Sequence, residues 1–286
     1  ADDPQTCSCR RAGRMSPPSH IRTLIVIPAR YGSTRFPGKP LAEIGGISML
    51  RHTAKTAQAV IASGPDRAFV VATDDQRIAD HCQAYDLPVV MTDPDCPSGS
   101  DRAMAACRAV APDAEIIINL QGDAPFTPPS YLERCLDCLN ADLQADMATP
   151  VVQLGWDALD QLREDKQSTP FSGTTASVDA QTGRARWFSK NILPAIRQET
   201  QRRETDPLSP GLRHVGLYAY RRDALERFMA LDESPYERTE GLEQLRALEA
   251  GMVIACAVVE PAPISLSGID TPEDLARAEA ALKVAR

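Results

Sequence analysis

A buried-strand pattern that runs directly into a basic loop lies near the start of the chain. Residues 23–27 read TLIVI, and the loop that follows Pro28 carries three cations, two hydroxyls and two glycines: Arg30, Gly32, Ser33, Thr34, Arg35, Gly38 and Lys39. In α/β proteins such a strand delivers backbone amides, hydroxyls and cations to an anion. The pattern predicts an α/β fold with a triphosphate site here; the alternative is a surface turn with scattered basic residues.

The spacing within this loop excludes two common nucleotide motifs. A Walker A loop needs four residues between its glycines and Ser or Thr after the lysine. Here five residues separate Gly32 from Gly38, and Pro40 follows Lys39. The G-x-G-x-x-G spacing of dinucleotide-binding folds is also absent from the loop.

Composition narrows the choice of partners. With 286 residues, 43% of them hydrophobic, the chain can form one large α/β domain or two smaller ones. A net charge of −8 argues against nucleic acid as a partner, and no apolar run is long enough to span a membrane. Residues 1–22 lack the apolar core of a secretory signal, so we expect a disordered extension and a cytoplasmic protein.

The eight cysteines are expected to be reduced thiols. Cys135 and Cys138 form a C-x-x-C, but within a helical pattern and with no second pair at zinc-ribbon spacing. A zinc site or a redox dithiol is therefore the weaker interpretation.

Strand and helix patterns alternate through the first half of the chain. Strands are predicted over residues 23–27, 68–72, 88–91 and 115–120, with helices over 47–63, after Thr73, and over 98–110. This alternation predicts a mostly parallel sheet with helices on both faces and ligands at the carboxyl ends of the strands. We assign residues 23–146 to a nucleotide-binding lobe.

From Met147 the pattern changes. Strands are predicted over 148–152, 174–178, 184–188, 214–220 and 253–259, and helices over 236–250 and 272–284. Two polar stretches, 164–172 and 197–212, are expected to be mobile. We predict that residues 147–286 form a smaller mixed-sheet lobe whose final helix returns to the first lobe.

Polar side chains follow two further elements of the first half. Thr73 and Asp74, after a strand, are suited to contact a nucleotide, or else Asp74 caps the next helix. Ser98, Gly99 and Arg102 open a helix and are candidates for the nucleotide; taken by itself, this motif favours Ser98 as an N-cap beside a solvated arginine.

Two carboxylates are candidates for Mg²⁺. Asp123 follows the strand over 115–120 in the run QGDAP, and hard oxygen ligands beside substrate phosphates are what Mg²⁺ prefers. Asp270 precedes a predicted helix start in which Thr271 is the N-cap, Pro272 occupies N1 and Asp274 occupies N3. Asp270 would therefore lie outside that helix, available to a metal.

Several motifs resemble, in order, those of the CMP-sugar-acid synthetases, and of 3-deoxy-manno-octulosonate cytidylyltransferases in particular. They are PARYGSTRFPGKPL, ATDD, SGSDR, QGDAP, RHVGLYAY, LEQLRALEAG and GIDTPEDL. The resemblance covers residues 23–282 and implies a single cytidylyltransferase domain over 23–286 with a nucleotide-diphospho-sugar transferase-like fold. It also implies a homodimer, two Mg²⁺ ions, and transfer of CMP from CTP to 3-deoxy-manno-octulosonate (Kdo), with release of pyrophosphate. The segment over 184–194 is our candidate contributor to the dimer interface.

The resemblance also assigns roles to residues. Catalytic roles fall on Arg30, Lys39, Asp123 and Asp270, of which the two acids hold the metal. Nucleotide contacts are expected from Pro28, Ala29, Arg30, Ser33, Arg35, Lys39, Thr73, Asp74, Ser98, Gly99, Arg102 and Gln121. Sugar-acid contacts are expected from Lys190, His214, Tyr218, Glu243 and Gln244.

Three departures from the family pattern concern the sugar side. Ala124 stands where relatives have Glu, Lys190 where they have Arg, and STPFSGTTAS (168–177) replaces a differently composed segment. They leave CTP as the nucleotide and motivate an alternative acceptor, an amino-substituted octulosonate or another ulosonic acid. A degenerate nucleotide-binding module without turnover is the alternative from a different functional class.

Overall fold

One mixed sheet of ten strands organises the molecule. The computed structural model describes residues 20–32, 36–264, 268–269 and 271–284. The strands are β1 (Thr23–Ala29), β2 (Glu43–Ile44), β3 (Ile47–Ser48), β4 (Arg67–Thr73), β5 (Val89–Met91), β6 (Ile116–Asn119), β7 (Met147–Gly155), β8 (Thr175–Val178), β9 (Ala185–Ser189), β10 (Leu208–His214), β11 (Tyr218–Arg221) and β12 (Ile254–Val259). The sheet order is β5-β4-β1-β6-β11-β7-β10-β8-β9, β12 pairs with β7, and β2 and β3 form a separate hairpin.

Helices cover both faces of this sheet, as predicted. They are α1 (Met49–Ala62), α2 (Gln76–Ala84), α3 (Gly99–Val110), α4 (Pro129–Ala141), α5 (Trp156–Ser168), α6 (Glu199–Thr205), α7 (Arg222–Met229), α8 (Pro235–Glu240), α9 (Glu243–Glu249) and α10 (Pro272–Val284), with a 3₁₀ turn at Lys39–Leu41. One core cluster joins the sheet to α1, α2 and α4, and a second joins it to α3, α7 and α9.

The first half is parallel because its strands are apolar on both sides. Strand β1 pairs in parallel with β4 and β6, and β4 pairs in parallel with β5. Ile25 and Ile27 enter one core cluster while Leu24 and Val26 enter the other. A continuous apolar run is what a strand covered on both faces requires.

The strands of the second half extend the same sheet. Strand β11 lies antiparallel between β6 and β7, and β10, β8 and β9 continue with antiparallel pairs, while β12 is parallel to β7. The predicted mixed character of this half is therefore present, within a sheet that is continuous across Met147.

The two stretches expected to be mobile contain regular structure. Helix α5 extends through Ser168, and residues 197–212 contain α6 and most of β10. Arg163 donates to both carboxylate oxygens of Glu199 at 2.7 and 2.8 Å, which ties α5 to α6. The apolar side chains of α5 are buried in a small cluster with Leu154. The expectation of mobility was wrong because the polar composition concealed these pairings.

Two predicted elements are each divided in two. Strand β10 ends at His214 and β11 begins at Tyr218. Both run antiparallel along the same side of β7, whose other side pairs with β12, and the ladder is irregular over the three residues between them. The helix predicted over 236–250 is α8 followed by α9, interrupted at Gly241, whose φ of 64° is left-handed.

The last helix packs against the first half of the chain. Its Ala278 is buried in a cluster with Ile44, Met49 and Ile269. Within the described ranges, no helix is long and apolar enough to cross a membrane.

Candidate active site

The loop after β1 begins and ends with a cation. Arg30 donates through Nη2 to the backbone carbonyl of Cys96, in the segment that leads to α3. Gly38, with φ of 71°, closes the loop by donating its N–H to the carbonyl of Tyr31 at 2.9 Å. Lys39 follows it. Ser33 and Arg35, predicted to contact the nucleotide, lie outside the described residues.

Lys39 forms an ion pair with Asp123. The Nζ–Oδ2 distance is 2.9 Å, and the side chains are 15% and 33% exposed. Asp123 lies in the turn that follows β6, the strand beside β1. The preceding Gly122 packs so tightly on β1 that a Cβ there would lie 2.9 Å from the carbonyl oxygen of Pro28. The structure thus brings together two of the predicted catalytic residues from adjacent strands.

The turn after β4 is tied to α3. Thr73 is buried, and Asp74 accepts a hydrogen bond from Arg102 Nη2 at 3.1 Å. Arg102 is fully buried and also donates to Thr92 Oγ1 at 2.5 Å, so the interpretation of a solvated arginine is wrong. The cap of α2 is Asp75 rather than Asp74, since Asp75 accepts the N–H of Arg77 at 2.9 Å.

Ser98 caps α3. Its side chain accepts the N–H of Asp101, whose carboxylate in turn accepts the N–H of Ser98, a complete capping box. Gly99 follows as the first helical residue, beside Pro28 and the side chain of Asn119. The α3 N-terminus therefore abuts the end of β1, where Pro28 and the buried Ala29 lie.

The predicted start of α10 is confirmed. Thr271 Oγ1 accepts the N–H of Asp274 at 3.2 Å, and the Asp274 carboxylate accepts the N–H of Thr271 at 3.0 Å. Asp270 lies outside the described residues. The neighbouring Ile269 donates its N–H to the carbonyl of Asp123 at 3.0 Å, so the segment before Asp270 is bound to the Asp123 turn.

A cavity of about 570 Å³ opens beside Asp123, the acidic partner of the Lys39 ion pair. All five predicted sugar-acid residues line it, together with two residues of the turn after β6: Gln121, Asp123, Lys190, His214, Tyr218, Glu243 and Gln244. Of the predicted nucleotide residues that the structure describes, Gln121 alone lines it. Asp123 thus lines the cavity and also pairs with Lys39, at the end of the loop after β1.

His214 is held in the cavity wall as a neutral base. Its Nε2 lies 2.8 Å from Thr149 Oγ1, and its ring packs against Phe188 at a centroid distance of 5.0 Å. Burial, with a smaller effect of the Lys190 charge, lowers the pKa of His214 to about 3. The imidazole is therefore suited to hydrogen bonding with a hydroxyl rather than to pairing with an anion.

The backbone of Lys190 is fixed from two sides. Its N–H donates to the Glu240 carboxylate, and its carbonyl accepts from Lys166 Nζ at 2.6 Å. Lys166 also donates to the carbonyls of Ser172 and Gly173, which binds the segment over 168–177 to α5. Burial lowers the pKa of Lys190, opposed by Glu240. A half-buried ammonium in a cavity wall is suited to bind an anionic group.

Another part of the wall, which includes Tyr218 beside His214, is uncharged or acidic. Burial raises the pKa of both Tyr218 and Glu243. Gln244 is buried, and its Nε2 has no hydrogen-bond partner among the residues described. These groups offer donors and acceptors to hydroxyls, as a polyhydroxylated ligand requires.

One residue that lines this cavity, and one that supports it from behind His214, were missed in the sequence. Arg213 lines it, and burial lowers the pKa of its guanidinium, opposed by Asp165. Thr149 orients His214 while donating to the carbonyl of Leu217 at 2.8 Å. Arg213 was detectable because it precedes His214 in RHVGLYAY; Thr149, 65 positions from His214, had no local signal.

The described residues fit a magnesium ion that is shared with a substrate. No cluster of three or more His, Cys, Asp or Glu side chains that could cage a metal occurs among them. Mg²⁺ commonly uses only one or two protein carboxylates and takes further oxygens from substrate phosphates and water. A part-exposed Asp123 carboxylate next to a basic loop provides such a partial set.

Comparison with known proteins agrees with this geometry. A family model described as Cytidylyltransferase matches residues 24–254. The 3-deoxy-manno-octulosonate cytidylyltransferase of Maricaulis maris (strain MCS10) is 46% identical over 259 residues, which cover 91% of this chain and 96% of that protein. The chain belongs to the 3-deoxy-manno-octulosonate cytidylyltransferase family.

Two further matches extend this likeness. The 3-deoxy-manno-octulosonate cytidylyltransferase of Mesorhizobium japonicum (strain LMG 29417 / CECT 9101 / MAFF 303099) is 42% identical, covering 92% of this chain and 99% of that protein. A structure of CMP:2-keto-3-deoxy-manno-octonic acid synthetase complexed with CTP has a TM-score of 0.78 at 35% identity, covering 93% of this chain and 100% of that one. The family's fold therefore extends over nearly the whole chain.

The neutrality of His214 predicts a pH dependence of stability. The folded pKa of His214, about 3, lies below the usual 6.5. As pH falls below 6.5, His214 is therefore protonated in the unfolded chain but stays neutral in the native state. This contribution is fully present above pH 6.5 and is lost progressively towards pH 3. Between pH 7 and pH 5, wild type should lose roughly 2 kcal/mol of unfolding free energy relative to His214→Gln. Urea titrations at both pH values measure this difference; an unchanged difference would contradict a depressed pKa.

Proposed function

We propose that this protein transfers CMP from CTP to the anomeric hydroxyl of Kdo and releases pyrophosphate, to supply lipopolysaccharide or capsule synthesis. The observation that carries the proposal is that Asp123 both lines the cavity and forms an ion pair with Lys39, at the end of the loop over 30–39 (the nucleotide loop). A carboxylate at that junction lies where a bound triphosphate and a sugar hydroxyl would meet. The family relationship supports the same reaction.

Positioning and charge neutralisation supply most of the catalysis in this chemistry. Arg30 and Lys39 would bind the triphosphate and stabilise the departing pyrophosphate. Asp123 and Asp270 would hold Mg²⁺, which when bound neutralises phosphate charge and favours attack by the hydroxyl oxygen. The bond from that oxygen to the α-phosphorus forms as the bond to the pyrophosphate oxygen breaks, in line.

The cavity wall matches the chemistry of a sugar acid. Lys190 offers a positive charge to the carboxylate, while His214, Tyr218 and Gln244 offer hydrogen bonds to hydroxyls. Thr73, Asp74 and the α3 N-terminus with Ser98 and Gly99 lie on the nucleotide side and would surround the cytidine. Gln121 follows β6 and lines the cavity.

We also propose that the protein is a Mg²⁺-dependent cytoplasmic homodimer. Strand β9 is the last strand of the sheet, and its Trp187 packs edge-on against Tyr236, which is 54% exposed. An aromatic pair beside an open strand edge is suited to a second copy of the chain. The segment over 184–194 would contribute to that contact.

The proposed activity is tested by adding CTP, Mg²⁺ and Kdo to the purified protein. Pyrophosphate should be released in equal amount to CMP-Kdo, and release should stop when EDTA removes Mg²⁺. A panel containing 8-amino-octulosonate and other ulosonic acids ranks the acceptors by kcat/KM. Preference for an amino-substituted acid would favour the alternative acceptor, and tight CTP binding without release with any acceptor would favour a degenerate binding module.

The two proposed metal ligands give a sharper expectation. Asp123→Asn and Asp270→Asn should each lower kcat about 10²–10³-fold, because each removes a preorganised charge at the reacting phosphate. The double variant should be little worse than either single one, since the two act through one assembly. CTP affinity without Mg²⁺ should change far less.

Asp137→Asn on the exposed surface of α4 is a matched control and should keep wild-type kcat; the Asp137 side chain is 62% exposed. Near-normal turnover of Asp270→Asn with reduced stability would make Asp270 a structural residue ahead of α10. The two-carboxylate site would then be wrong.

A further inference from the structure

The Tyr31 ring packs against Gly38 at the far end of the loop after β1 and is held by a residue outside the proposed site. The guanidinium carbon of Arg77 lies 3.3 Å from the centroid of the Tyr31 ring, within the range of a close cation–π contact. We infer that Arg77, on α2, is a positioning residue that holds the loop ready for the triphosphate. This inference rests on the proposed function, because it assigns the loop to CTP.

Arg77 is itself fixed in place. Its Nε and Nη2 donate to the two carboxylate oxygens of Asp75 at 2.9 and 2.6 Å. Asp75 is the N-cap of α2 and also accepts the backbone N–H of Arg77. The bidentate pairing fixes the plane of the guanidinium, which is the property that stacking on a ring requires.

The hydroxyl end of Tyr31 packs against the other end of the loop. A Cβ added to Gly38 would lie 3.1 Å from the ring carbon Cζ and from the hydroxyl oxygen. The Tyr31 carbonyl accepts the N–H of Gly38 at 2.9 Å. One tyrosine thus joins the start of the loop to its end through its backbone and its ring.

Both proposed phosphate-binding cations adjoin this contact directly. Arg30 precedes Tyr31, and Lys39 follows Gly38. Fixing Tyr31 against Gly38 fixes the backbone from which both side chains extend. Arg77 therefore links the turn after β4 to the positions of these two cations. It would act through Tyr31 rather than through a contact with the nucleotide.

Fixing Tyr31 against Gly38 before CTP arrives removes an entropic cost of placing Arg30 and Lys39, so the effect should fall on affinity. A cation–π contact at an exposed site contributes about 0.5–1 kcal/mol, equivalent to about two- to fivefold in a dissociation constant. Loss of Arg77 should therefore weaken CTP binding by about that factor. The chemical step at saturating CTP should keep its rate.

A second stack in the same region supplies the matched control. Arg51 on α1 lies 3.8 Å from the centroid of the Tyr85 ring at the end of α2. Arg51→Ala removes the same kind of contact from the same pair of helices. Any effect of Arg77→Ala on general stability of α2 should appear in this control as well.

The test measures CTP affinity by isothermal titration calorimetry and then KM and kcat, each with full-length variants. Arg77→Ala and Tyr31→Leu should raise the Kd and KM for CTP about two- to fivefold, with kcat and the KM for Kdo within about twofold of wild type. The double variant should be no worse than either single one. Tyr31→Phe, which retains the ring, should bind CTP like wild type, whereas Arg77→Lys should not restore affinity because it lacks the planar fork.

Three results would overturn the inference: unchanged CTP affinity in Arg77→Ala, an equal loss in Arg51→Ala, or additive losses in the double variant. The binding measurement needs no acceptor. Failure of the proposed transfer reaction would therefore appear as absent pyrophosphate release from wild type, separately from any result on Arg77.

Discussion

The ion pair between Lys39 and Asp123 is the interaction around which the site is arranged. It joins the loop after β1 to the turn after β6 at an Nζ–Oδ2 distance of 2.9 Å. In the absence of substrates each residue neutralises the other. A triphosphate would attract Lys39, and Mg²⁺ would need Asp123. Each residue of the ion pair would therefore exchange the other for a new partner. Metal binding at Asp123 would therefore be coupled to the arrival of CTP.

The sheet explains why these residues meet. Parallel pairing of β1 with β4 and β6 brings three polar segments to one edge, and Gly122 allows the Asp123 turn to approach Pro28 closely. Antiparallel β11 then carries Tyr218 beside Asn119, so the sugar-acid wall grows from the same sheet. Continuity of the sheet across Met147 places the residues proposed to bind the two substrates on one sheet.

The sequence predicted the parts whose signals are local. Apolar runs identified β1, β4 and β6, and the TPED start of α10 was correct because a capping box needs only adjacent residues. Distant partners left no such signal: Glu199 is 36 positions from Arg163. The roles of Asp75 and the burial of Arg102 likewise depend on tertiary packing. The proposed contacts of Asp270 with metal remain predictions.

Binding of Mn²⁺, followed by electron paramagnetic resonance, tests the coupling most directly, because Mn²⁺ accepts the same oxygen ligands as Mg²⁺. Without CTP, wild type should bind Mn²⁺ weakly, and Lys39→Met should bind it about two- to fivefold more tightly, since the competing cation is gone. Adding Asp123→Asn to Lys39→Met should abolish that gain. Equal Mn²⁺ affinity of wild type and Lys39→Met without CTP would contradict the account.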